Sequence, residues 1–464
     1  MKMLRGFGFG LAALVLAACS SSSTGPSTTV SKRSDPNVGF PAMSLFPAAA
    51  APHGVARSNT DIFEEFIDYA FALESGQTLS RISRFEGSIS VALVNAPNKV
   101  VSRDLDRLLS RLQNEGNVPI SRVSSPSSAN IVIELIPKRQ LYRAAPNAAC
   151  IVVPRMRSWV EFRKNRFNRR SDWTSLTERT RAAIFMPVDV SPQDARDCLH
   201  EELAQALGPL NDLYRVPDSV YNDDNFHIVL TSYDMLLLRI FYAPELHSGM
   251  GKHEVTTVLP ALLRRLNPRG VGLAARRLQE TPDAWSKAIE AALGSRGNAD
   301  ARVAAASKAV KIAQQVGISD HRLGYSYYAR ARVNSSRDPR TAAGDYARAY
   351  ANFVQAFGPY DIHTAQAALQ MASLSISAGD LGQALQYIVP SLVAAKNAQN
   401  GRLLFSLLAM KAAIYEHGGH IAQAGELRQE AIGWGQYGVY ESKELNQRLK
   451  IIAGLSPQLP NSEG

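Results

Sequence analysis

The feature that most constrains this chain is an internal echo in its last third. Ala372, Leu374, Gly379, Gln383 and Ala384 recur 40 residues later as Ala412, Ile414, Gly419, Gln423 and Ala424. Small residues at fixed places in an Ala-rich stretch let two antiparallel helices approach closely. Each glycine falls where the chain must turn between them. A helical hairpin cannot bury its apolar face alone, so the echo predicts a stack of about three units. The stack is expected over residues 301–455, with 321–357 as a degenerate earlier unit and 251–300 as a helical connector.

With Phe357-Gly358-Pro359-Tyr360 and His363-Thr364-Ala365 in the linker and helix before it, this region resembles tetratricopeptide repeats of the longer, kinesin-light-chain kind. The resemblance implies a concave face that binds protein segments. Tyr325, Tyr327, Tyr328, Tyr346 and Tyr350 either line that groove or pack half-buried between helices.

Residues 60–250 read differently. Ile89, Val91 and Leu93 alternate as a strand, and Ser102 is placed to cap a helix carrying Leu105, Leu108, Leu109 and Leu112 on one face before Gly116. Ala129–Ile136 and Ala182–Val190 read as buried strands. Ser191-Pro192 with Asp194 starts another helix strongly, Leu199, Leu203 and Leu207 face inward, and Gly208 is placed to stop it. Thr231 with Asp234 opens a further helix through a capping box.

Strand, helix, strands and then a helix ending in glycine is the order seen in zincin metalloproteases, which carry H-E-x-x-H-x-x-G on that helix. Here the segment is Glu201-Glu202-Leu203-Ala204-Gln205-Ala206-Leu207-Gly208, with Asn211 where a third ligand would stand. Glu201 and Gln205 replace the two histidines, and Glu202 keeps the place of the general base. Anchored on His200-Glu201 instead, the second ligand position is Ala204. A neutral amide is a poor zinc ligand, and without zinc nothing lowers the pKa of water towards ~7. No metal or cofactor is expected, and Glu202 is the one weak catalytic candidate.

Glu202-x-x-Gln205-Ala206-Leu207-Gly208, then Asn211-Asp212, then Leu230-Thr231-x-Tyr233-Asp234 and Leu237-Leu238 together resemble the domain of unknown function 2927, over residues 80–250. That proteobacterial family, several members of which look like lipoproteins, implies a fold and a compartment but no activity. The fold class expected is thus an α+β zincin-like domain with a mixed sheet, followed by an all-α tetratricopeptide-like array. Glu201, Glu202, Asn211 and Asp212 also fit a Ca²⁺ site, an acid/base pair on a polysaccharide, or plain hydrogen-bonding roles at a helix end. The remaining histidines are scattered, and His417 and His420 flank a helical turn.

Lys2 and Arg5 precede a short apolar stretch from Phe7 to Ala18, as in a signal peptide. Leu16-Ala17-Ala18-Cys19 resembles a bacterial lipobox, which implies cleavage after residue 18 and a lipid anchor on Cys19. Residues 19–59 are rich in Ser, Thr, Pro and Ala and read as a flexible tether. The expected location is the outer membrane, facing the periplasm, because Ser20 stands where an Asp would favour the inner membrane. No later apolar run approaches the ~20 residues of a membrane span. In an oxidising compartment Cys150 and Cys198 most simply pair. The rival is a metal site that adds His200.

The net charge of +10 is uneven. Arg155, Arg157, Arg163, Lys164, Arg166, Arg169 and Arg170 crowd one segment with Trp159, Phe162 and Phe167. They form either an anion-binding surface for lipid phosphates or a solvated loop whose aromatics fold back onto the core. Nucleic acid is not expected there. The function expected is a non-catalytic scaffold that binds another envelope protein through the repeats. The alternative is a metal-dependent hydrolase of peptide or glycan that uses Glu202.

Overall fold

The computed structural model describes residues 41–47 and 55–455, apart from 98, 147, 277, 295 and 440. The expected signal peptide, Cys19 and most of the expected tether lie outside the described residues. No helix among the described residues is long and apolar enough to cross a membrane.

The first module opens with α1 (Asn59–Phe71), capped by Ser58, whose hydroxyl accepts the Asp61 N–H at 3.0 Å. Next come β1 (Ile89–Val94), α2 (Lys99–Asn114), β2 (Ile120–Arg122), β3 (Ile131–Ile136), α3 (Lys138–Ala144), β4 (Ile151–Pro154), α4 (Trp159–Asn165) and β5 (Ala182–Pro187). The strands make one mixed sheet in the order β2-β1-β3-β5-β4, parallel throughout except for β4, which runs antiparallel on the edge.

Alternation along the strands sorts the two faces. Ile184 and Met186 point to a large core that includes α1, α2 and the helix after β5. Ala183 and Phe185 point to a smaller one under α3 and α4. That helix, α5 (Pro192–Leu207), starts as its sequence dictates, with the Ser191 hydroxyl accepting the Asp194 N–H at 3.1 Å and Gly208 at its end. Just before β4, Cys150 shares the α5-side core, which brings it against Cys198, and the two form a disulfide with Cα atoms 5.9 Å apart. With both sulfurs so engaged, the rival metal site is ruled out.

Three expectations need correction. Helix α2 begins at Lys99, not after a Ser102 cap, because burial of Val101 (4% exposed) draws the preceding turn into the helix, and the Ser102 hydroxyl accepts from Arg122 instead. The basic segment holds α3, β4 and α4, with Trp159 and Phe162 in the core, so the fold-back reading holds for those two rings. Phe167 is 85% exposed. Finally, part of the stretch read as tether is packed. Phe46 is buried, its ring 4.3 Å from Trp434, and its carbonyl accepts from Arg107 at 2.7 Å.

Helices α6 (Ser232–Phe241, opened by the Thr231/Asp234 capping box) and α7 (Lys252–Leu266) complete the module. Since α7 shares the core of α1 and α6, the module runs past residue 250. Beyond it, among the described residues, stand four antiparallel hairpins: α8 (Asp283–Leu293) with α9 (Ala299–Gln315), α10 (His321–Asn334) with α11 (Pro339–Phe357), α12 (Ile362–Ser377) with α13 (Leu381–Asn397), and α14 (Gly401–His417) with α15 (Ile421–Gly438). A last helix, α16 (Ser442–Ala453), packs on the end. Gly379 and Gly419 turn the two related hairpins at φ of 81° and 79°, a left-handed conformation that favours glycine. Ala372, Ala384, Ala412 and Ala424 are each at most 1% exposed, at the close helix contacts.

The module and the array share a core. Phe226 is ringed by Tyr325, Tyr328, Phe353 and His363, with centroids 4.8–6.0 Å away. Tyr325, Tyr328 and Tyr346 are therefore packing residues.

Candidate functional site

The site is built where α5 ends. Its last carbonyls would be unpaired in the interior. The Arg179 guanidinium accounts for them, donating to the carbonyls of Gln205 (2.7 Å), Ala206 (2.8 Å) and Gly208 (2.6 Å), and the Tyr242 hydroxyl donates to that of Leu207 at 2.9 Å. Gly208 sits in a tight place, because a Cβ there would lie 3.1–3.3 Å from the Phe241 ring.

After Gly208 the chain forms a folded loop. The Glu74 N–H donates to the Leu210 carbonyl at 3.0 Å, which pins the turn after α1 beside it. The Leu213 N–H donates to the Tyr221 carbonyl at 2.9 Å, and this places residue 212 next to 222–223. Asn222 and Asp224 hold the turn, their side-chain oxygens accepting the N–H groups of Asp224 and Phe226, each at 3.0 Å. Carboxylate oxygens of Glu74, Asp212 and Asp223 thereby come within 4.8 Å of one another.

The five positions singled out from the sequence divide. Glu201 and Glu202 lie within electrostatic reach of Asp212, and Glu201 also of Asp223. Burial, then Glu202, Asp197 and the loop carboxylates, push Glu201 well above the usual carboxylate range. Burial, then Asp197, raise Glu202 to about 8. Burial, then Asp223 and Glu202, raise Asp212. Gln205 is fully buried, and neither atom of its amide has a partner, nor does Oε2 of Glu202. Asn211 does not join them. Its amide N–H donates to the Asp68 carbonyl at 3.0 Å.

His200, the one histidine of α5, serves packing. It is 3% exposed, its Nδ1 accepts the Leu230 N–H at 3.0 Å, and burial followed by Arg196 and Arg111 lowers its pKa well below the ordinary value. In the basic segment, Arg155 donates to the Arg169 carbonyl and to Ser175, Arg157 to the Ser127 carbonyl and Arg170 to Glu161, while Arg163 and Lys164 are exposed.

Residues 59–261 match the model of the family described as Protein of unknown function (DUF2927). This DUF2927 segment runs from the start of α1 into α7, wider than the 80–250 that the motifs alone suggested, and it contains every residue of the site. No curated protein matches the chain. Sequence reasoning missed Glu74, Asp223 and Arg179. Asp223 had a signal in Asn222-Asp223-Asp224-Asn225, a turn-forming run. Glu74 and Arg179 act across 138 and 26 or more residues of chain, and no local pattern marks them.

Proposed function

We propose that this chain is a lipoprotein of the outer membrane, facing the periplasm, and that it is a non-catalytic scaffold. In this reading a zincin-like domain is joined to a tetratricopeptide-like array that binds another envelope protein. The strand order ending in a glycine-stopped helix, and the hairpins with left-handed glycine turns, support the two fold resemblances. One observation carries the functional reading. The α5 face that would need paired imidazoles offers Glu201 and Gln205, and its one histidine is spent on the Leu230 N–H. A single carboxylate with a neutral amide, and no imidazole, is a poor set for the zinc that activates water.

For the partner, the array leaves Val389 and Val393 of α13 exposed one helical turn apart (52% and 44%). Exposed apolar residues on a helix are where an interface gains most from desolvation. Affinity capture by the full chain from envelope extract should yield a partner that the Val389→Asp/Val393→Asp variant loses. Equal recovery by both would count against this surface. The exposed Phe167, with the Arg166 guanidinium 4.5 Å from its ring centroid, supports an additional contact with anionic lipid.

A second reading, a metal-dependent hydrolase of peptide or glycan acting through Glu202, is favoured by one fact. A buried carboxyl with an unpartnered oxygen and a pKa of about 8 suits general acid–base work. Loss of any hydrolytic activity in Glu202→Gln, together with bound metal, separates this reading from the first.

A further inference from the structure

We propose that α3 and α4 form a platform that docks the first module onto an anionic lipid surface. The platform rests on the lipid contact read above from Phe167 and extends it from one ring to two helices. Helix α4 carries apolar residues on both of its faces. Trp159 and Phe162 lie in the core, 6% and 0% exposed. Val160, Arg163, Lys164 and Phe167 recur at the i, i+3, i+4 and i+7 spacing of a second face, and all four are exposed, Val160 at 63%. Phe167 falls on that face because Arg166, the C-cap, keeps helical backbone angles. A valine and a phenylalanine thus bracket two cations over about 10 Å of helix, at ~1.5 Å per residue.

Helix α3 repeats the pattern. Leu141 is buried in the same core, while Arg139, Tyr142 and Arg143 are exposed. The Lys138 ammonium stands 5.4 Å from the centroid of the Tyr142 ring, as the Arg166 guanidinium stands beside that of Phe167. Rings flanked by cations suit a membrane interface, where the apolar part enters the headgroup layer and the charges stay with the phosphates.

Charge points to the same partner. Glu161 is the only acid between residues 138 and 170, and its carboxylate is engaged by Arg170 and by the Arg157 N–H at 2.9 Å. Arg139, Arg143, Arg163 and Lys164 have no acidic partner among the described residues. Arg155, Arg157 and Arg170 are spent inside the fold, and these four are left for a ligand. Anionic headgroups match the cations, and the acyl boundary beneath them takes up the apolar residues. A nucleic acid would match the charges but leave Val160 in water. Both helices cover the sheet face opposite α5, since Ala183 and Phe185 share their core and Ile184 and Met186 share that of α5. Docking there turns the α5 side away from the bilayer.

The test uses the full chain with Cys19→Ser, so that no acyl chain contributes. It is sedimented with vesicles of phosphatidylcholine, alone or mixed with phosphatidylglycerol. Binding is expected to the mixed vesicles only, and it should fall as salt is raised, because exposed charges are screened beyond about 10 Å at ~0.1 M. Arg139→Gln/Arg143→Gln, Arg163→Gln/Lys164→Gln and Val160→Ser/Phe167→Ser should each weaken it at least about tenfold. Lys308→Gln, an exposed cation on α9, should change nothing. Equal binding to neutral vesicles, or no binding to anionic ones, would overturn the proposal. Tighter binding to a single-stranded oligonucleotide than to the vesicles would also overturn it. Loss in Val160→Ser/Phe167→Ser with full binding in Arg139→Gln/Arg143→Gln would confine the contact to α4, so that the Phe167 reading stands and the platform falls. None of these outcomes bears on partner capture through Val389 and Val393.

Discussion

Arg179 shows how much one side chain can decide. It is 3% exposed, and burial lowers its pKa to about 10, so it stays charged across the neutral range while donating to three carbonyls at the end of α5. Arg179→Met fills the space but leaves those carbonyls unpaired. The expected loss is roughly 3 kcal/mol in urea unfolding, because buried groups stripped of a charged partner keep their desolvation penalty. Gly208→Ala should cost about 1–2 kcal/mol by the same measurement, since the new Cβ meets an enclosed Phe241 ring that has little room to give. The two residues differ in legibility. Gly208 was placed at the helix stop by its position after Leu207. Arg179 is one arginine among many, and only the fold reveals which carbonyls it serves.

At the scale of elements, local chemistry was the readable part. Helices α5 and α6 start where Ser191-Pro192 and Thr231 with Asp234 put them, because a cap is a contact between residues three apart. The glycine turns at 379 and 419 and the Cys150–Cys198 pairing were equally readable. Strand β2 is three residues long with one apolar position, and β4 is four residues, all apolar, so neither is long enough for an alternating period to show. They exist because neighbouring strands supply the hydrogen bonds. The disulfide fastens β4, the antiparallel edge, to α5. Cys150→Ser/Cys198→Ser is therefore expected to lower unfolding free energy by about 2–4 kcal/mol, and chemical denaturation under oxidising conditions checks it. An unchanged midpoint would mean that β4 is held by its core contacts alone.

For the whole molecule, the junction between module and array was the least legible feature. Phe226 and Tyr214 belong to no helix or strand, yet they sit in the array's core, and the acidic cluster forms from segments more than a hundred residues apart. No periodicity encodes such closure. The junction also carries a titratable link. His363 donates to Asp224 (3.0 Å) and Asp361 (2.8 Å) through its two ring nitrogens, and although burial opposes its charge, these two carboxylates push it up to about 10 from an ordinary 6.5. A histidine raised in the folded state adds stability that is complete below pH ~6.5 and fades as pH climbs towards 10. Unfolding free energy measured across that window should fall with rising pH, and His363→Gln should flatten the dependence. An identical slope in the variant would show that the link carries no charge.

The claim beneath all of this is that the α5 face selects against zinc chemistry. The most direct measurement is the zinc content of the purified full chain after dialysis against zinc, taken together with peptide and glycan hydrolysis by the parent chain and by Glu202→Gln. The account predicts no stoichiometric zinc at α5 and no hydrolysis that depends on Glu202. One zinc per chain that is lost on Gln205→Ala, with turnover abolished in Glu202→Gln, would contradict it.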